Sequence, residues 1–158
     1  MDMLIKLYGS TIGSKDPLGS PIALEGVDIR KPIGPEHTTV VRWVEKQFGV
    51  GWASEVQVAL ANRPVSAWLA VRNGELLAFA CYDATARGFF GPIGVSEAAR
   101  RQHLGAALLL ACLRDMRTVG YGYSVVGGVG APEFFRRVAG ATEIPDSTPG
   151  VYAGILAR

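Results

Sequence analysis

A chain of 158 residues, 49% hydrophobic and 19% charged, suits one domain that buries about 70% of its unfolded surface around a single core. The formal net charge of +2 sets 16 basic side chains against 14 acidic ones scattered along the chain, which argues against a nucleic-acid partner. The N-terminus MDMLIKLYGS places an acid at Asp2 before only a short apolar run. It matches neither a signal peptide nor a membrane span, so a cytoplasmic protein with no membrane partner is expected.

Two cysteines, Cys81 and Cys112, lie inside apolar runs without metal-ligand spacing, so they read as buried thiols and no metal is expected. The low charge density leaves room for an apolar surface patch and points to a homodimer. Met3 to Tyr8 alternates weakly, as an edge strand does, and Gly9 to Gly26 is a Gly-, Ser- and Pro-rich loop. Residues 1–26 are therefore expected to form an N-terminal strand-and-loop arm, and residues 27–158 a single domain.

From Val27 the pattern tightens. VDIRKPIG predicts a strand, and EHTTVVRWVEKQFG after Pro35 predicts a helix ended by Gly49, with Val40, Val41, Val44 and Phe48 as its buried stripe. GWASEVQVALANR predicts a second helix. VSAWLAVRN, ELLAFACYDA and GFFGPIGV predict an antiparallel meander turning at Asn73-Gly74 and at Thr85 to Gly88. Pro92 cannot donate to a ladder and marks a bulge or an unpaired edge. A long helix, the strand YSVVGG, a short helix APEFFRRVAG and a last strand VYAGILA complete the order, with one parallel crossover.

ARRQHLGAALLLACL brings two arginines and free backbone N–H groups to a helix start, where the dipole favours anions such as a diphosphate. A merely solvated first turn is the competing reading. Arg100, Arg101, Gln102, His103, Leu104 and Gly105 match a motif R/Q-x-x-G-x-G/A at a strand-to-helix junction, and here the sequence resembles the GNAT superfamily of N-acyltransferases. The likeness runs from Val27 to the C-terminus. It includes GPIGV, YSVVGG and APEFFRRVAGA, the last similar to the family's F-Y-x-x-x-G segment.

The resemblance implies an α/β (α+β) fold with a mixed, mostly antiparallel sheet, flanking helices and splayed central strands. It further implies acetyl-CoA or another acyl-CoA as co-substrate. The diphosphate would sit on Arg100 to Gly105 and Ala106, and the pantetheine arm along the backbone of Ile93, Gly94 and Val95, like an added strand. Gly127, Gly128 and Gly130 fall where side chains would obstruct that ligand. Phe134 would join the cofactor wall, and Arg137 is favoured over Arg136 for the 3'-phosphate, although a solvated helix face explains either. His103 replaces a glycine; in ordinary helical φ/ψ it can still present its N–H, so the cradle is expected to survive if position 103 needs no positive φ.

The chemistry departs from the pattern. Where the family places a tyrosine that protonates the departing thiolate, this chain has Phe135 after Phe134; Ala139 stands for the glycine, and Gly140 comes one place late. Tyr82, Tyr121, Tyr123 and Tyr152 are the alternative donors, with Tyr82 preferred. GFFGPIGV contains no acid, so Asp83 on the neighbouring strand is the nearest general base, against an equal reading as a turn residue. A weakly basic amine would need no strong base. Glu143 and Asp146, with the helix pair at Trp43 and Trp52, would border the acceptor side, and either hint at a cationic acceptor or form a solvated loop. Two functions compete: an N-acetyltransferase acting on a primary amine of a small molecule or peptide, and an acyl-CoA-binding module with little or no turnover, serving as sensor or dimerising partner. A purely structural domain is the blandest third.

Overall fold

Asn73 and Gly74 both take positive φ, 50° and 77°, forming the two-residue turn that folds β3 (Ala67–Arg72) straight back as β4 (Glu75–Tyr82). The computed structural model describes residues 1–9, 18 and 21–157. Its remaining strands are β1 (Asp2–Lys6), β2 (Asp28–Arg30), β5 (Phe89–Val95), β6 (Tyr123–Val126) and β7 (Thr142–Ile144). Its helices are α1 (His37–Phe48), α2 (Val50–Ala61), α3 (Leu104–Thr118) and α4 (Pro132–Ala139).

The seven strands form one sheet in the order β2-β3-β4-β5-β6-β1-β7. All neighbours run antiparallel except β5 and β6, which are joined through α3. This is the mixed α/β sheet expected from the sequence. Helices cover both faces. Val40 and Val44 of α1 and Val56 and Leu60 of α2 pack on Leu69, Phe79 and Cys81. On the other face the Leu-rich α3 and Phe135 of α4 pack on Met3, Ile5, Ala78, Ala80 and Phe90. Val40 and Val44 are buried as the stripe predicts, while Val41 and Phe48 pack on the same cluster partly exposed. Both cysteines are free and buried, and burial pushes both thiols up.

Three expectations are corrected. The Met3 to Tyr8 strand is not at an edge: β1 pairs with β6 on one side and β7 on the other, and Met3, Ile5 and Leu7 are at most 1% exposed. Strand alternation reports one buried face and says nothing of how many neighbours a strand has. The loop expected over residues 9–26 lies largely outside the described residues. VYAGILA is not a strand: Gly150–Tyr152 is a 3-10 turn, and the closing strand is Thr142–Ile144. The edge of β1 is thereby already taken, and Val151, Ile155 and Leu156 remain 49%, 57% and 87% exposed. Finally, His103 does not take helical angles. It sits at φ 61°, ψ 15°, left-handed, and Arg101 nearby has φ 65°. No helix among the described residues is long and apolar enough to cross a membrane.

Candidate functional site

β5 and β6 pair only at Phe89–Val125 and Phe90–Val126, after which the two strands part. On its other side β5 stays on β4 through Ile93–Ala80, Gly94–Phe79 and Val95–Ala78, with a register shift opposite Pro92. The bulge flagged by that proline is present, and it re-aims the strand. Ser96 donates to the Leu77 carbonyl of β4, and backbone groups alternate along a strand. Gly94 therefore turns its amide to β4, while Ile93 and Val95 turn theirs to the open edge. Of the three residues expected to carry a ligand arm, two offer backbone groups to it. Gly94 serves packing instead, because a Cβ there would stand 2.6 Å from the Phe48 ring.

The parted strands enclose a cavity of about 400 Å³ that reaches both faces of the sheet. Trp52, Glu55 and Thr85 line it from the α2 side, and Phe134 and Phe135 from the α4 side. Tyr152 closes it above Gly127 and Gly128. The Gly128 N–H donates to Asp2 at 2.9 Å, and a Cβ at Gly128 would meet the Tyr152 ring at 3.1 Å. That glycine admits Tyr152 to the cavity wall. Asp2, only 6% exposed, also takes Ser147 Oγ on its own N–H at 2.7 Å, so the first strand ties down the turn that carries Tyr152.

Behind Phe134, which forms one wall of the cavity, lies the start of α3. Ala107 is the first residue to donate back to the His103 carbonyl, and no side chain caps the helix. The N–H groups of Leu104, Gly105 and Ala106 are therefore left for a ligand or solvent. The left-handed Arg101 and His103 curl the preceding backbone around that point, and Arg100, Arg101 and His103 are exposed there. Gln102 accepts from the Arg72 guanidinium at 3.1 Å, fastening the loop to the end of β3. A Cβ at Gly105 would lie 3.5 Å from the Phe134 ring, so the helix start and the cavity share a wall. Arg137 is exposed on α4, and Arg136 is engaged by Glu133 and Glu143.

The residues expected to do chemistry lie elsewhere. Asp83, at φ 52°, accepts from the Gly88 N–H at 2.7 Å and from the Tyr121 hydroxyl at 2.9 and 2.8 Å. It is the turn residue of the competing reading and faces a different pocket, with Asn62 and Arg87. The Tyr82 hydroxyl donates to Asp115 of α3 at 2.9 Å, where Lys31 and Trp68 also bind that carboxylate oxygen. Burial and that carboxylate hold the Tyr82 phenol well above its usual range. A hydroxyl so committed is turned from the cavity. Glu143 is bound to Arg136 and Asp146 stands in a turn at φ 54°, so neither lines it.

Glu55 was missed. Its carboxylate accepts from the Thr85 hydroxyl and is the one acidic group among the described residues lining the cavity. The signal was available: Glu55 lies three residues beyond Trp52, on the same face of a helix already expected to border the acceptor. No group of three or more His, Cys, Asp or Glu that could hold a metal occurs among the described residues.

Comparison with known proteins agrees with this geometry. The profile described as acetyltransferase (GNAT) family matches residues 37–140. A GCN5-related N-acetyltransferase from Sphaerobacter thermophilus superposes with TM-score 0.64 at 23% identity, over 89% of this chain and 47% of that one. This chain thus spans about half the length of that protein. A GNAT family N-acetyltransferase (YhbS) from Escherichia coli, solved in complex with CoA, gives TM-score 0.57 at 19% identity over 76% and 71% of the two chains. A GNAT family acetyltransferase from Brucella melitensis, in complex with acetyl-CoA, gives 0.51 at 21% over 70% and 80%. The search of curated proteins finds no match.

Proposed function

Because the chain belongs to the acetyltransferase (GNAT) family, we propose that it transfers an acetyl group from acetyl-CoA to a primary amine received beside Glu55. The observation that carries the reading is the cavity itself. A lone carboxylate lines it on the α2 side, and Phe134 on the other separates it from an uncapped helix start.

The diphosphate of the co-substrate suits the free N–H groups of Leu104, Gly105 and Ala106, with Arg100 and Arg101 beside them. The pantetheine amides suit the open edge of β5 at Ile93 and Val95, as a strand adds to a sheet. The acceptor then enters from the α2 side, between Trp52 and Glu55. An alkyl amine of pKa about 10.4 is neutral in only about one molecule in a few thousand at pH 7, so attack on the thioester requires a proton acceptor. Glu55 takes that proton, and its charge and the neighbouring Trp52 ring favour a cationic acceptor in the first place. The amine nitrogen forms the new bond to the acetyl carbon, and the C–S bond breaks.

Calorimetric titration with acetyl-CoA, followed by CoA release across a panel of amines, tests this reading. Arg100→Ala and Gly105→Trp are expected to weaken acetyl-CoA binding strongly. Glu55→Gln is expected to leave binding intact and lower kcat by about 10²-fold or more. Acetyl-CoA binding with no product from any amine would favour the binding module instead, a reading that rests on Phe135 standing where the family has its acid. Absence of binding at millimolar ligand would overturn both.

A further inference from the structure

Another cavity, of about 510 Å³, lies on the α3 face of the sheet and shares no lining residue with the one between β5 and β6. Leu24, Val27 and Ile29 form one wall, the Trp68 ring of β3 another, and Ala107 and Ala111 of α3 a third. The two alanines stand four residues apart and Asp115 four further on, so all three project from one face of the helix. Small side chains at the first two positions leave the volume open up to the Asp115 carboxylate, which also lines it.

That carboxylate is bonded through one oxygen only. Oδ2 accepts from the Tyr82 hydroxyl at 2.9 Å and the Trp68 indole N–H at 3.2 Å, and pairs with the Lys31 ammonium at 2.7 Å. Oδ1 accepts no hydrogen bond among the described residues, although it keeps some accessible surface in a side chain only 16% exposed. An ionised carboxylate is purely an acceptor, so this oxygen calls for a donor in an otherwise largely apolar setting. The charge is already matched, because Lys31 sits on Oδ2 and 5.6 Å from the centre of the Trp68 ring. A second cation has no charge left to neutralise, and an anion meets the carboxylate. Trp68 is held by its own N–H, so this wall is ordered in advance of any ligand.

We propose that this cavity binds a compact, neutral, mostly apolar molecule with one hydroxyl, a phenol or an alcohol. Its O–H donates to Asp115 Oδ1 and its body lies among Leu24, Val27, Ile29 and Trp68. The site stands independently of acetyl transfer.

Calorimetry of the wild type with three probes tests it: 4-propylphenol; 4-propylanisole, in which a methyl group replaces the donated proton; and 4-propylbenzylammonium. The phenol is expected to bind with a Kd below about one millimolar. The ether should bind about 10-fold or more weakly, because the lost bond is charge-assisted, and the ammonium no more tightly than the phenol. Ala111→Leu fills the cavity without touching the partners of Asp115 and should weaken the phenol by at least about 10-fold, with a cooperative thermal transition reporting that the variant is folded. If that variant does not fold, the phenol and ether on the wild type decide alone. No phenol binding at millimolar concentration, an ether that binds as well as the phenol, an ammonium that binds more tightly, or an affinity unchanged in folded Ala111→Leu overturns the proposal.

Discussion

Replacing Gly94 by alanine drives a methyl group into the ring of Phe48. The added Cβ would lie 2.6 Å from Cζ, 2.7 Å from Cε2 and 3.0 Å from Cε1, whereas two carbons attract at about 3.5–4.0 Å. The ring has little room to yield. Its centroid is 5.1 Å from that of Trp52 and 5.7 Å from those of Trp43 and Phe79. The other relief is to lift β5 from α1, which strains the Gly94–Phe79 pair and moves the open edge at Ile93 and Val95. Overpacking of this kind costs about 1–3 kcal/mol. With the ring clamped on three sides the upper part of that range is expected, only partly offset by the roughly 0.4–1 kcal/mol that alanine gains by restricting the unfolded chain. A net loss of about 2 kcal/mol lowers Tm by roughly 4–8 °C in a chain of this size. Thermal unfolding of Gly94→Ala, Phe48→Leu and the double variant measures it, and calorimetry with acetyl-CoA follows the displaced edge. The smaller Phe48→Leu side chain should recover at least about 1 kcal/mol of the Gly94→Ala defect. An unchanged Tm in Gly94→Ala, or strictly additive losses, would refute the reasoning.

Asp83→Asn keeps a residue that tolerates left-handed φ but removes the charge accepting from Tyr121 and Gly88. Stability is expected to drop by about 1–2 kcal/mol in urea unfolding, with kcat within about two-fold; a 10²-fold loss of kcat would restore Asp83 as the base. His103→Gly relieves a left-handed penalty of about 1–2 kcal/mol and adds about 0.5–1 kcal/mol of chain entropy. Tm should therefore rise slightly and acetyl-CoA affinity hold within about three-fold, whereas a large loss of affinity would assign the imidazole a phosphate contact. Glu36 is held down to about 2 by its bond from the Arg30 guanidinium and then by the Ile33 N–H. Its stabilisation is thus complete above the ordinary carboxylate value of 4.5 and is lost as pH falls toward 2. Across that window Tm of the wild type should fall more steeply than that of Glu36→Gln, and parallel curves would disprove the linkage.

The helix-start half of the candidate site was legible in the sequence because it is built locally. A bulge-forming proline, two arginines and a glycine near a helix start lie within a few residues of one another, and their backbone chemistry needs no distant partner. Even there His103 misled, since a side chain identity does not disclose φ. The acid and base candidates do not reach the cavity, for the opposite reason. Asp83 and Tyr82 lie beside the right strand in sequence, yet alternation and a turn aim them at Tyr121 and at Asp115 of α3. The groups lining the cavity come from α2, from the β4–β5 turn and from the C-terminal turn, far apart along the chain.

Periodicity and turn residues by themselves determined which segments become helices and which become the central strands, because those choices depend on apolar spacing and on φ at Asn73, Gly74 and Gly49. The resemblance carried by ARRQHLG likewise determined the family. Only the tertiary structure decided that β1 lies inside the sheet, that Thr142–Ile144 rather than VYAGILA closes it, and that Glu55, Thr85 and Tyr152 line one cavity. Such meetings depend on which sheet edges remain unpaired once every buried face is covered, a condition on the whole molecule that no short window of residues records.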